Sequence, residues 1–195
     1  MICHEFKGGI GTASRLVETP SGRFTVGVLV QANHGTRSLL RVDGVPVGRE
    51  VGFAHTPSPR PQHPGEGSII VVMATDAPLI PTQCKRLAQR ATIGLARVGS
   101  VGHNGSGDLF LAFATGNHLQ ADAQSRHTLH MLPHQQLNAF FEAVAEAVEE
   151  SIVNALCAAE TMTGQQGRTA HALPLDALQR VMTKYRPDLP ASPTR

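Results

Sequence analysis

The stretch Gly102–Thr115, GHNGSGDLFLAFAT, decides how the rest of the chain is read. Its first half is small, polar and flexible. From Asp108 to Thr115 (DLFLAFAT) it turns apolar without alternation. A short apolar run entered from glycine predicts a strand, and the lack of alternation predicts one covered on both sides. The glycine-rich segment Gly99–Gly107 then carries a single central hydroxyl, Ser106, to the mouth of that strand.

Similar patterns recur on either side. Ile69–Ala74 (IIVVMA) is another continuous apolar strand, and the Val-rich Phe24–Gln31 (FTVGVLVQ) a third. Leu39–Val42 reads as a short partner strand before the turn signal Asp43-Gly44, and Thr128–Leu132 as one further strand. Pro81-Thr82 opens a helix in which Cys84, Leu87, Ala88, Ala91 and Leu95 recur at helical spacing, running to about Arg97. A long helix over Pro133–Ala159 places Leu137, Phe140, Val144, Val148, Ile152 and Leu156 on one stripe, with Glu142, Glu146, Glu149 and Glu150 elsewhere. Leu173–Lys184 is a last short helix. Gly48–Gly67, with Pro57, Pro59, Pro61 and Pro64, is expected to be an exposed mobile loop, and the tail after Pro187 to be frayed. Helices alternating with doubly buried strands imply one α/β domain over residues 1–195, built either as sheet on sheet with helices outside or as one sheet between helices.

Composition excludes several classes of function. The 195 residues carry 17 Lys plus Arg against 15 Asp plus Glu, one Tyr and no Trp, which is poor material for a nucleic-acid footprint. No apolar run approaches the ~20 residues that a membrane-spanning helix needs. Met1–Lys7 lacks the charged-then-apolar pattern of a secretory signal, so a cytoplasmic location is expected, or a periplasmic or secreted one if a signal precedes Met1. Cys3, Cys84 and Cys157 are widely separated, and the ten histidines form no pair at a ligand spacing. Buried reduced thiols, no metal and no cofactor are expected.

The chemistry therefore points to Ser106. Gly105 and Gly107 leave the serine and its neighbouring carbonyl unobstructed. A serine hydroxyl needs a base to take its proton. If the Gly105–Ser106 bond were cut, the new α-amine, with a pKa of about 8, would supply that base. A phosphate-cradling loop is excluded, since no lysine follows the last glycine and the loop enters a strand instead of a helix.

Several ordered blocks carry a wider resemblance: MICHEFKGGIGTASR at the start, TVGVLVQAN, GVPVGRE, SIIVVMATDAPL, NGSGDLFLAFATGN and EESIVNALCAAETMTG. Together they resemble the DmpA-type family, the L-aminopeptidase D-Ala-esterase/amidases and β-aminopeptidases, from Met1 to about Lys184. The resemblance implies a four-layer αββα sandwich, self-cleavage between Gly105 and Ser106, and use of the freed Ser106 to remove amino-terminal residues from small peptides, amides or esters. It also implies assembly into homo-oligomers. Asn33, in VQANHG, is the candidate oxyanion donor, although an Asn before His-Gly also suits a plain turn. The family pairs a serine and a glutamate two residues apart downstream of the nucleophile. Distance from Ser106 puts that glutamate near Glu146, but Val144 stands where the serine should be; Glu149, Ser151 and Glu160 are rivals, and a solvated helix face accounts better for any one of these acids. Family members carry an amino-terminal segment ahead of the block that here starts at Met1, so the sandwich is expected to be incomplete. The alternative function is a non-catalytic truncated homologue serving as an oligomeric interaction module. An acyltransferase of similar layout would use threonine where this chain has Ser106.

Overall fold

The computed structural model describes residues 1–54, 56–59, 65–119, 121, 124 and 126–188. Its centre is a four-stranded sheet in which β3 (Ile10–Thr19), β4 (Gly22–Gly35), β5 (Gly65–Thr75) and β6 (Leu109–Ala114) lie in chain order. The first two pairings are antiparallel; β6 joins parallel to β5, with Ile70 opposite Leu109. A small hairpin, β1 (Ile2–Cys3) and β2 (Phe6–Lys7), packs on β4. The helices are α1 (Val47–Glu50), α2 (Pro81–Ala88), α3 (Ala91–Arg97), α4 (Leu137–Cys157) and α5 (Leu175–Tyr185), and the two-residue strands β7 (Met162–Thr163) and β8 (Thr169–Ala170) pair between α4 and α5.

Period-two alternation explains the core. Val26, Val28, Val30 and Ala32 of β4 point to one face with Ile69, Val71 and Met73 of β5, and all seven are buried. Helix α4 lays its apolar stripe on that face through Phe140, Val144, Val148, Ile152 and Ala155. It crosses β3 so closely that a Cβ on Gly11 would stand 1.9 Å from the Ser151 carbonyl oxygen. Glycine is the only residue that permits this approach.

The opposite face is bare. Leu29 of β4, Ile70 of β5, and Leu109, Leu111 and Phe113 of β6 point into solvent, with Leu109 and Leu111 at 62% and 58% exposure. The expectation that β5 and β6 are covered on both sides is thus corrected: their continuous apolar sequence reflects one face packed against helices and one apolar face left open. Among the described residues, the four-stranded sheet carries a helix layer on one face, part of an αββα sandwich.

Other differences have local causes. Leu39–Val42 is not a strand of the sheet. Arg37–Leu39 makes a 3-10 turn, and Val42 meets only Val45 across the Asp43-Gly44 turn, where both residues hold positive φ. Thr128–Leu132 forms no strand. The predicted helix from Pro81 is broken at Gln89-Arg90, which lets α2 pack on β6 while α3 packs on α4. The start of the expected proline-rich loop is ordered as α1, with Val47, Gly48 and Val51 buried, and its end is already strand β5. Arg60–Pro64 and the tail from residue 189 fall outside the described residues.

Candidate active site

Parallel pairing of β6 on β5 sets the position of Ser106. The loop ahead of β6 must run back beside the start of β5, which brings it against Gly67 and Ser68. Gly107 donates its N–H to Ser68 Oγ at 2.8 Å. Asp108 Oδ1 accepts the Ile69 N–H at 3.1 Å, capping the ladder where β6 has not yet begun. The same oxygen accepts the Ser106 hydroxyl at 2.6 Å, a short, charge-assisted bond. Ser106 Oγ also approaches the Gly67 carbonyl oxygen, at 3.5 Å, and the Ser106 N–H donates to His103 O at 2.8 Å to close the turn. Ser106 is half-buried while Gly105 and Gly107 are exposed, and nothing lies within 4 Å of the place a Gly105 Cβ would occupy. The Gly105–Ser106 peptide is therefore open to attack.

Asn33 stands on the far side of β5, opposite Ser68 in register, at a bulge near the end of β4. Its Oδ1 accepts the Ile2 N–H at 2.8 Å. The donor end is the one left, and Nδ2 lies 2.9 Å from where a Gly67 Cβ would be. Gly67 holds φ +130 and presses on the Asn33 carbonyl, so only glycine fits between the asparagine and the serine loop. Asn33, Gly67–Ser68 and Ser106–Asp108 thus form one row across the end of three strands.

Glu146 is not brought to this row. It lies on α4 and accepts Arg15 Nε at 3.0 Å, while Glu150 takes Arg15 Nη1 at 2.5 Å. Arg15 belongs to β3, at the opposite edge of the sheet from β6, about 14 Å away at ~4.8 Å per strand. The rivals sit no nearer the reaction. Glu149 pairs with Arg97, Ser151 Oγ is buried against the Ala147 carbonyl, and Glu160 is exposed beyond α4. Asp108 is the acidic residue that touches Ser106. Its signal in the sequence was its place two residues after the serine and directly before the apolar strand, where a side chain must cap the first unpaired N–H of β5.

The hairpin behind Asn33 gathers three soft donors. Cys3 and His4 come from β1 and its turn, His34 from β4, and their ligand atoms lie within 4.8 Å of one another, all buried. Burial pushes the Cys3 thiol up to about 12 and His4 down to about 4. His34 falls to about 3, from burial first and the neighbouring His4 second. Cys3 and His34, 31 residues apart, gave no ligand spacing in the sequence; packing of β1 on β4 is what joins them.

The fold as a whole matches that of solved aminopeptidases. The L-aminopeptidase D-Ala-esterase/amidase of Ochrobactrum anthropi, described as a prototype for the serine aminopeptidases and a variant of the Ntn hydrolase fold, superimposes with a TM-score of 0.85 at 44% identity, covering 95% of this chain and 50% of its own. A Burkholderia sp. β-aminopeptidase gives 0.81 at 49% identity, covering 94% and 51%. This chain has that hydrolase fold, in part. It belongs to peptidase family S58, whose model matches residues 1–170. The β-peptidyl aminopeptidase BapA of Sphingosinicella microcystinivorans is 48% identical over 197 residues, 95% of this chain and 50% of the relative. The chain spans about half the length of the relatives it matches.

Proposed function

We propose that Ser106 is the nucleophile of a self-processing serine aminopeptidase or amidase acting on small peptides, amino-acid amides or esters. The observation that carries this reading is the 2.6 Å bond from the Ser106 hydroxyl to Asp108 beside an exposed Gly105–Ser106 peptide, in a chain of family S58. In the intact chain the Ser106 nitrogen is an amide and cannot serve as base, so Asp108 is the proton acceptor at hand. Ser106 Oγ attacks the Gly105 carbonyl carbon. The C–N bond breaks, its nitrogen takes up the proton, and Gly105 is left esterified to Oγ. Water then hydrolyses the ester, giving a Gly105 carboxylate and a free Ser106 amine.

The freed amine takes over as base. Oγ attacks the carbonyl of the substrate's first residue, the amine passes the hydroxyl proton to the leaving group, and water releases the acyl group. Asn33 Nδ2 is the side-chain donor for the oxyanion, a kind of contact whose loss costs about 3 kcal/mol. No metal or cofactor enters this scheme.

The test is intact mass after prolonged incubation, followed by release of p-nitroaniline from aminoacyl p-nitroanilides. Two fragments meeting at Gly105/Ser106 are expected. A second reading, a non-catalytic homologue acting as an oligomeric module, is favoured by the open apolar sheet face. An unbroken chain without turnover would select it.

A further inference from the structure

We propose that Cys3, His4 and His34 bind one thiophilic d10 metal ion, Zn(II) or Cu(I), through one sulfur and two imidazole nitrogens.

The β1–β2 hairpin turns through His4-Glu5, with Cys3 opposite Phe6. Both turn residues are in the left-handed region, His4 at φ 46 and Glu5 at φ 60. Such a turn favours Asn-Gly, and non-glycine residues held there cost about 1–3 kcal/mol each. The strained turn aims the His4 ring inward, where its centroid is 5.2 Å from that of His34. His4 Nδ1 is 3.0 Å from the Thr36 carbonyl oxygen. A carbonyl can only accept, so Nδ1 carries the proton and Nε2 presents its lone pair to the interior. This is how metal-binding histidines are oriented, with the second ring nitrogen donating to a carbonyl or carboxylate.

The lone pair finds no protein partner. Among the described residues, His4 Nε2 is buried without a hydrogen bond. Orphaned buried polar atoms of this kind cost free energy unless something meets them. His34 Nε2 lies 3.8 Å from Cys3 Sγ. An ion bonded to sulfur at ~2.3 Å and nitrogen at ~2.0 Å holds those donors about 3.5 Å apart in tetrahedral geometry and about 3.7 Å apart in trigonal geometry. The existing pair already matches. The remaining donor lies within 4.8 Å of the others and closes on the ion by a movement of up to about 1.5 Å.

Donor chemistry fixes the class of ion. One thiolate and two imidazoles suit zinc or cuprous ion and not oxygen-seeking calcium or magnesium. The neighbouring carboxylate is committed elsewhere: Glu5 Oε2 accepts the Arg37 N–H at 2.9 Å and Oε1 the Ser58 hydroxyl at 2.9 Å. Binding displaces the thiol proton of Cys3 to solvent, forms one metal–sulfur and two metal–nitrogen bonds, and moves no electron. The ion would brace the segment that holds Asn33, since Ile2 binds the Asn33 side chain and His34 follows it in β4.

The probe is a tag-free Cys84→Ala/Cys157→Ala chain, in which Cys3 is the sole thiol, loaded in separate arms with Zn(II) and with Cu(I) under reducing conditions. In at least one arm, about one metal per chain should survive dialysis. X-ray absorption should then show one sulfur at ~2.3 Å and two nitrogens at ~2.0 Å. Cys3→Ser and His34→Gln on this background should each weaken binding at least tenfold and lose the gain in thermal midpoint that metal confers. If those variants do not fold, the spectrum of the parent decides alone. A coordination shell without sulfur, metal that washes out in both arms, or affinity unchanged by either variant with native circular dichroism overturns the site.

Discussion

At the residue scale, the proposed nucleophile Ser106 depends on geometry supplied by its neighbours. Ser106→Ala removes one hydroxyl and its bond to Asp108, at a site half open to water, so the fold should lose only about 1 kcal/mol. Self-cleavage and p-nitroanilide turnover should both vanish; measurable turnover by this variant would remove Ser106 from the mechanism. Ser106→Thr keeps a hydroxyl and should retain slow cleavage. Asp108→Asn separates two roles of one side chain. Its amide oxygen can still accept the Ile69 N–H, so the cap on β5 survives, but the acceptor of the serine proton is lost. Self-cleavage should slow by roughly 10²–10⁴, the range of general-base contributions, with the urea midpoint nearly unchanged. Cleavage at the parental rate would show that Asp108 only caps the strand. Glu146→Gln, by contrast, should leave cleavage intact, because Glu146 neutralises Arg15 at the opposite edge of the sheet.

At the scale of elements, the packing of α4 on β3 is the contact with least tolerance. Gly11→Ala would drive a methyl into the Ser151 carbonyl at 1.9 Å and the Ala155 amide nitrogen at 2.7 Å, both of them helix backbone that cannot rotate away. Overpacking of this kind costs typically 1–3 kcal/mol and here should fall at or above the upper end, read as a lowered urea midpoint. The segment after α1 behaves differently from its composition. Arg49 is exposed, but its backbone is held in α1 between buried Gly48 and Val51, and the adjacent Glu50 binds Lys184 Nζ at 3.0 Å and Tyr185 Oη at 2.6 Å on α5. Brief trypsin treatment should therefore spare Arg49, against the expectation drawn from its proline-rich surroundings. A first cut there would show that α1 is not seated on α5.

For the whole molecule, the open sheet face dominates. Leu29, Ile70, Leu109, Leu111 and Phe113 share it, and a groove lined by Gly27, Leu29, Val72, Ala74 and Phe113 runs along it. A contiguous apolar surface of this kind marks an interaction site. The 195-residue chain alone should therefore self-associate at micromolar concentration in light scattering with size exclusion. Leu111→Lys, midway along the edge strand β6 on this face and outside the helix-packed core, should shift the distribution toward monomer. A clean parental monomer would show that the face tolerates water, and self-association would be withdrawn.

Strands β4, β5 and β6, the long helix and the serine loop were legible in the sequence because each depends on local pattern: short apolar runs, a 3.6-residue stripe, and glycines flanking one hydroxyl; β3, with its mixed sequence, was not. The break at Gln89-Arg90 and the folding of Arg37–Val42 into turns were not, since α2 packs on β6 while α3 packs on α4, and Arg37 is bonded to Glu5 of the small hairpin. Apolar periodicity also could not say whether a face is covered. Ile70 and Leu109 read as buried in sequence because hydrophobicity records what a surface favours, whereas cover depends on what packs against it. The placing of Ser106 against Gly67 and the assembly of Cys3, His4 and His34 belong to tertiary structure for the same reason. Ser106 reaches β5 only because β6 pairs parallel to it, and His34 meets Cys3 only when β1 lies on β4. Sequence by itself determined which residues could do chemistry, through composition and local conformation. Strand pairing decided which of them touch, because contacts between distant residues are set by the packing of whole elements.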